Sequence, residues 1–135
     1  MSKRLDDRLS KNFFRREFMC QGHDCCGGSA PVDGRLIALL QRTRDILGVS
    51  LYCCDPAYPG AGSGFRCMKH NATVDGASPN SLHTCGLAAD VWTISVEPIA
   101  IRDAALTAVR QLAYGYVRYY PEKRFVHIDI GRNFL

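Results

Sequence analysis

Gly86 stands between His83 and Asp90, and it decides how those two side chains can meet. They lie seven residues apart in Ser81-Leu82-His83-Thr84-Cys85-Gly86-Leu87-Ala88-Ala89-Asp90. On one continuous helix they would be separated by about 10 Å along the axis, too far to act together. Gly86 also argues against such a helix, because glycine costs about 1 kcal/mol relative to alanine in a helix interior. A turn followed by a strand brings the pair together instead. Along that strand Ala88, Asp90 and Trp92 share one face, because side chains alternate. Downstream, in Phe125-Val126-His127-Ile128-Asp129-Ile130, a second strand sets Phe125, His127 and Asp129 opposite Val126, Ile128 and Ile130. The apolar face belongs to the core and the His127–Asp129 face to a cleft.

Two imidazoles and one carboxylate are a common protein share of a catalytic zinc site, with the fourth position left to water. The expected ligands are His83, Asp90 and His127, holding one Zn2+ per chain. Zinc lowers the pKa of bound water to about 7 and polarises a carbonyl, so the chemistry expected is hydrolysis. A carboxylate must then take the proton. Asp129 is the first candidate, from its strand face, and Glu122 in the preceding loop is the second. Arg66 could stabilise a developing oxyanion or hold a substrate carboxylate. Each residue has a plainer role open to it. Asp129 could pair with Arg132, Glu122 could be a solvated loop residue, and Arg66 could clamp loop carbonyls. His23 and His70 read as ordinary hydrogen-bonding residues, and Trp92 and Tyr119 as packing residues.

The chain outside these segments predicts an α+β fold, with helices packed on a small antiparallel sheet. Residues 1–12 are polar and read as a flexible N-terminal arm; residues 13–135 read as a single domain. Asn12 to Phe18 suggests an anchoring turn with aromatic residues facing in. Asp33 is placed to N-cap a helix ending at Gly48, with Leu36, Leu39, Leu40, Ile46 and Leu47 on its inner side. Val49 to Cys54 suggests a short strand, Asp55 to Ser63 a loop, and Arg66 to Val74 a short helix. Leu87 to Ser95 suggests a strand. Glu97 to Leu112 suggests a helix buried along Ile101, Ala104, Ala105, Ala108, Val109 and Leu112. Tyr116 to Tyr120 and Arg124 to Ile130 close the sheet.

At 135 residues the chain is one domain's worth. The net charge of +4 is modest and its basic residues are scattered, which argues against nucleic acid as a partner. No apolar run approaches the roughly 20 residues of a membrane helix, so no membrane partner is expected. The charged start, Met1-Ser2-Lys3-Arg4-Leu5-Asp6-Asp7-Arg8, lacks the apolar stretch of a secretory signal. Seven cysteines are many for this length, and the number is odd. Cys20, His23, Cys25 and Cys26 cluster closely. Disulfides to Cys53, Cys54 or Cys67, unpaired thiols and a second, structural zinc are all open readings. Cys85 is expected to be buried beside the triad.

Taken together, these residues closely resemble the zinc D-alanyl-D-alanine carboxypeptidase family, which includes phage L-alanyl-D-glutamate endopeptidases. The resemblance lies in Ser63-Gly64-Phe65-Arg66-Cys67, then Asn71, Gly76, Ser81-x-His83-x-x-Gly86-x-Ala88-x-Asp90, and the late Phe125-Val126-His127-Ile128-Asp129. It runs from about Phe13 to Arg132 and looks like the small phage and bacterial branch, with Glu17-Phe18-Met19-Cys20 at its start. The resemblance implies a hedgehog/D-Ala-D-Ala peptidase-like fold, with His83, Asp90 and His127 as zinc ligands. It implies Arg66 in the substrate cleft and Ser81 beside the ligands, positioning substrate. It further implies a monomeric, endolysin-like metallopeptidase that cuts peptidoglycan stem peptides at the cell wall or periplasm. With no leader in view, the expectation is a phage or prophage enzyme released by lysis, or a chain trimmed of its leader. Two departures stand out. Many relatives carry an acidic base three residues before the last histidine, where this chain has Arg124, and the Asp55 to Gly62 loop is long. Arg124 keeps open a second reading, a non-catalytic zinc-containing module of the same fold that binds cell wall or protein.

Overall fold

The computed structural model describes residues 8–20, 26, 32–53, 64–74, 77 and 81–131, apart from the His70 side chain. His23, Cys25, Cys54, Arg132 and the Asp55 to Gly62 loop lie outside the described residues.

Helix α1 spans Gly34–Leu47 and has the expected caps. The Asp33 carboxylate accepts from the Arg35 backbone N–H, and Gly48 closes the helix at φ 79°. Its inward stripe is Leu36, Ile37, Leu39, Leu40 and Thr43. Thr43 sits fully buried because its hydroxyl donates to the Leu39 carbonyl at 2.8 Å. Ile46, expected inside, is 38% exposed. Thr43 and the half-buried Leu47, four residues apart, continue the inner row, which turns Ile46 toward water. Helix α2 is a single turn, Met68–Asn71. Helix α3 spans Ile99–Leu112 and buries Ile101, Ala104, Ala105 and Ala108 against α1. The three alanines put little side-chain bulk between the two helices.

The sheet has three antiparallel strands, β1 (Ala88–Val91), β2 (Tyr116–Tyr120) and β3 (Phe125–Asp129), in the order β1-β3-β2. The fold is therefore α+β, as the sequence implies. The strand predicted over Val49 to Cys54 is reduced, among its described residues, to one bridge. Tyr52 and Trp92 exchange both backbone hydrogen bonds at 2.8 Å, and the pairing goes no further. Trp92 lies just past the end of β1, so little strand remains there to pair with.

The core joins Val91, Val126, Ile128 and Ile130 from one face of the sheet to Leu36, Leu39, Leu40, Ile101 and Ala105 from the helices. Phe13, Phe18, Leu51 and Cys53 complete it. Residues 8–12, read as part of the arm, lie on α1. The Ser10 hydroxyl donates to Gln41 Oε1 at 2.6 Å, and the Asn12 N–H donates to the same oxygen at 2.9 Å.

Candidate metal centre

Strand register brings the late histidine to the carboxylate. In the β1–β3 pairing Asp90 sits directly opposite His127, and Ala88 opposite Asp129. Alternation sends Val126 and Ile128 into the core at 0% exposure and leaves His127 on the other face. His127 Nδ1 lies 2.9 Å from Asp90 Oδ1.

The turn before β1 delivers the other histidine. Leu82–Cys85 is a 3-10 turn whose first backbone donors are met by Ser81, which accepts from the His83 N–H at 3.2 Å. Gly86 ends the turn in the left-handed region at φ 70°, where glycine carries no Cβ penalty. The Gly86 carbonyl accepts from Asp33 N–H at 2.9 Å, so the turn is tied to the start of α1. His83 is 3% exposed, and its Nε2 lies 3.5 Å from Asp90 Oδ1. Cys85, expected inside, is exposed. At three residues per 3-10 turn, a position two past the buried His83 points away from it.

One donor atom from each of His83, Asp90 and His127 lies within 4.8 Å of the others. The sequence reading thus places together three residues that the fold also brings together. Each imidazole is held at its remaining nitrogen. His83 Nδ1 lies 2.8 Å from the Gly64 carbonyl, which can only accept, so the proton sits on Nδ1 and Nε2 is left to face Asp90. His127 Nε2 lies 2.8 Å from Asp129 Oδ2. The other Asp129 oxygen accepts from the Gly131 N–H at 2.9 Å. Both oxygens of Asp129 are therefore engaged, on the side of His127 away from Asp90. Such outer carboxylates and carbonyls fix the tautomer and orientation of metal-binding histidines. Gly64 was not singled out in this role by the sequence. Its one signal in the sequence is its place in Ser63-Gly64-Phe65-Arg66.

Charge in the cluster is mutually reinforcing. Burial disfavours ionised Asp90, but hydrogen bonds from His127 and His83 outweigh it and hold the carboxyl at about 2. Burial likewise disfavours charge on His127, yet its bonds to Asp129 and Asp90 lift the imidazole to about 9. The Asp90 and Asp129 carboxylates, one at each His127 nitrogen, thus favour positive charge at this place. A divalent ion would replace that positive charge, as metal uptake by histidine and carboxylate generally does. The donor set and its outer partners therefore fit a metal of the zinc class.

Arg66 enters from the segment before α2. Its backbone N–H donates to the His83 carbonyl at 3.1 Å, and Nη2 donates to Ser81 Oγ at 3.3 Å. Nε is buried and has no hydrogen-bond partner among the described residues. Burial lowers the Arg66 pKa, while Asp90 and Cys20 act in the opposite direction. Gly64 is essential to this approach, since a Cβ there would fall 2.7 Å from Phe18 Cα. Glu122 is exposed on the Pro121–Lys123 turn that joins β2 to β3. Arg124 is also exposed, and its guanidinium lies 3.7 Å from Glu97 Oε2.

The sheet face around the triad has an aromatic end. Phe125 stacks on Tyr120 at 4.7 Å between ring centroids and lies 5.0 Å from Trp92. Arg118 is paired opposite His127 in the register, which places it on the same face. The sequence reading did not single out Arg118, because its relation to His127 exists only through the β2–β3 pairing.

No curated protein and no solved structure matches the chain. A family model described as peptidase M15 matches residues 11–129, which takes in the anchoring turn, both long helices and every residue of the triad. By that match and the resemblance carried by its motifs, the chain belongs to the peptidase M15 family, the zinc D-alanyl-D-alanine carboxypeptidase-like peptidases.

Proposed function

We propose that this protein is a zinc-dependent peptidase that hydrolyses peptide bonds in the stem peptides or cross-links of bacterial peptidoglycan. The observation that carries the reading is the triad: three donor atoms within 4.8 Å, with each imidazole oriented by an acceptor at its far nitrogen. His83 through Nε2, Asp90 through a carboxylate oxygen and His127 through Nδ1 would hold the ion. Zinc bound there would supply a water of lowered pKa and a Lewis acid for the scissile carbonyl.

The remaining chemistry falls to the chain's own side chains. Gly64 O keeps the His83 proton on Nδ1, and Asp129 keeps the His127 proton on Nε2. Asp129 is thereby assigned as a positioning residue in preference to the proton acceptor, because its oxygens are spent on His127 and Gly131. Glu122 is then the acidic side chain left in the acceptor role. Arg66, cationic and partly desolvated beside Ser81, is suited to a substrate carboxylate or a developing oxyanion. Arg118 adds positive charge on the same face, and the Trp92–Phe125–Tyr120 group offers an apolar wall. The enzyme would act as a monomer at the cell wall. Among the described residues no helix is long and apolar enough to cross a membrane.

The second reading is a zinc-containing module that binds cell wall or protein without cutting it. Arg124, in the place where relatives carry an acid, is the feature that favours it. Digestion of purified peptidoglycan before and after chelation, with mass spectrometry of the fragments, separates the two. New termini that vanish on chelation and return with zinc support the peptidase and name the bond cut. Binding to peptidoglycan without cleavage favours the module. Glu122→Gln should abolish cleavage while leaving zinc content unchanged; full activity in that variant would remove Glu122 from the acceptor role.

A further inference from the structure

A second group of soft donors lies outside the triad and shares no residue with it. The sulfurs of Cys20, Cys26 and Cys67 all fall within 4.8 Å of one another. Cys20 is buried, and Cys26 and Cys67 are half-buried. The group gathers distant parts of the chain, since Cys20 and Cys67 are 47 residues apart. Their sulfurs are 3.8 Å apart. Disulfide sulfurs stand at about 2.05 Å. Zinc–thiolate bonds of about 2.3 Å, set at tetrahedral angles, place two sulfurs about 3.8 Å from each other. The Cys20–Cys67 separation, a thiol hydrogen-bond contact, also matches the edge of a zinc tetrahedron. Three thiolates would strongly prefer a soft or borderline ion such as zinc over a hard one.

We propose that Cys20, Cys26 and Cys67 bind a structural zinc ion, separate from the one assigned to the triad. Its place in the fold explains what it would do. The Phe65 N–H donates to the Phe18 carbonyl at 3.0 Å, and Gly64 is pressed against Phe18. Cys20 and Cys67 each lie two residues beyond that contact, so a metal between them closes the crossing of the two segments. The second segment carries the Gly64 carbonyl that orients His83 and the Arg66 guanidinium beside Ser81. The ion would staple the cleft wall to the N-terminal turn.

Cobalt substitution of the full chain tests this. The triad offers only nitrogen and oxygen, so a thiolate-to-cobalt charge-transfer band reports the cysteine site alone. The expected result is two cobalt ions per chain, with the band saturating at one equivalent. The band should persist in His127→Ala, which should lose the other equivalent, and should weaken in Cys26→Ser. Absence of the band in unsubstituted protein loaded with cobalt would overturn the proposal, whatever the cysteine variants do. So would a Cys20–Cys67 disulfide found by intact mass and peptide mapping in protein purified anaerobically with zinc present. Neither result bears on the peptidase reading, because cleavage and the His127-dependent ion are measured separately.

Discussion

The triad and the cysteine cluster solve the problem of gathering ligands in different ways. His127 meets Asp90 because β1 and β3 are hydrogen-bonded in a fixed register, and His83 is added by a capped turn that leads directly into β1. Cys20 meets Cys67 where two irregular segments cross, with the Phe65 to Phe18 backbone bond beside them. A sheet specifies register strongly when one face is buried, since a one-residue slip would move His127 into the core and Ile128 out. A crossing of loops has no such constraint. The triad should therefore be preorganised before metal arrives, and the thiol site should depend more on its ion.

That contrast can be broken most severely at His127. His127→Ala should remove the triad's ion and reduce hydrolysis by more than the roughly 10–100-fold typical of outer-partner substitutions. The fold should survive, because the side chain lies off the core face. Zinc titration and circular dichroism together check this, and retained activity would sink the metal assignment. Next in size is Asp129→Ala. It should weaken zinc binding at the triad by about 10–100-fold and leave the cysteine site untouched. If instead zinc affinity holds while turnover collapses, Asp129 is the proton acceptor that the sequence first suggested.

Gly64→Ala sharpens the comparison from the side of the crossing. The new Cβ would meet Phe18 Cα at 2.7 Å, so one of the two segments must shift. The expected cost is about 1–3 kcal/mol, the range for overpacking, measured by urea denaturation. Because Gly64 O also orients His83, zinc affinity at the triad should fall in parallel. Stability loss with unchanged affinity would show that the carbonyl is not needed.

The smallest effect is expected at Asp33, whose carboxylate caps α1 by accepting from the Arg35 N–H. Asp33→Ala should cost about 1 kcal/mol at neutral pH. The Asp33 carboxyl is held below its usual value, chiefly by its side-chain hydrogen bond with Arg35 and despite some burial. A depressed folded-state pKa gives stability that is fully present above the unfolded value of about 4 and lost as pH falls through the folded one. Wild type and variant should therefore converge in stability below that window. Denaturation midpoints that stay equally far apart in acid would rule out the carboxylate as the source.

Much of the site was legible because it is written in local rules. Gly86 forced a turn between His83 and Asp90, and alternation put His127 and Asp129 on a common face. Asp33 and Gly48 marked the ends of α1 for equally local reasons. What could not be read lies in contacts between distant segments. The Gly64 carbonyl reaches His83 across 19 residues, and nothing in either segment announces it. The direction of Asp129 was equally hidden. A strand face says that two side chains are neighbours, but not that one will take the other's far nitrogen. The strand expected over Val49 to Cys54 reduces, among its described residues, to the Tyr52–Trp92 bridge, because β1 already ends at Val91.

By itself, then, the sequence determined which residues could serve as ligands and that they would sit on one face of a small sheet, because periodicity and glycine conformation act within a few residues. Only the tertiary structure decided how those ligands are held. Register set Asp90 against His127, close packing at Gly64 brought a carbonyl to His83, and a crossing of segments gathered Cys20, Cys26 and Cys67. Such choices depend on which surfaces exclude water together, and that is a property of the whole folded chain.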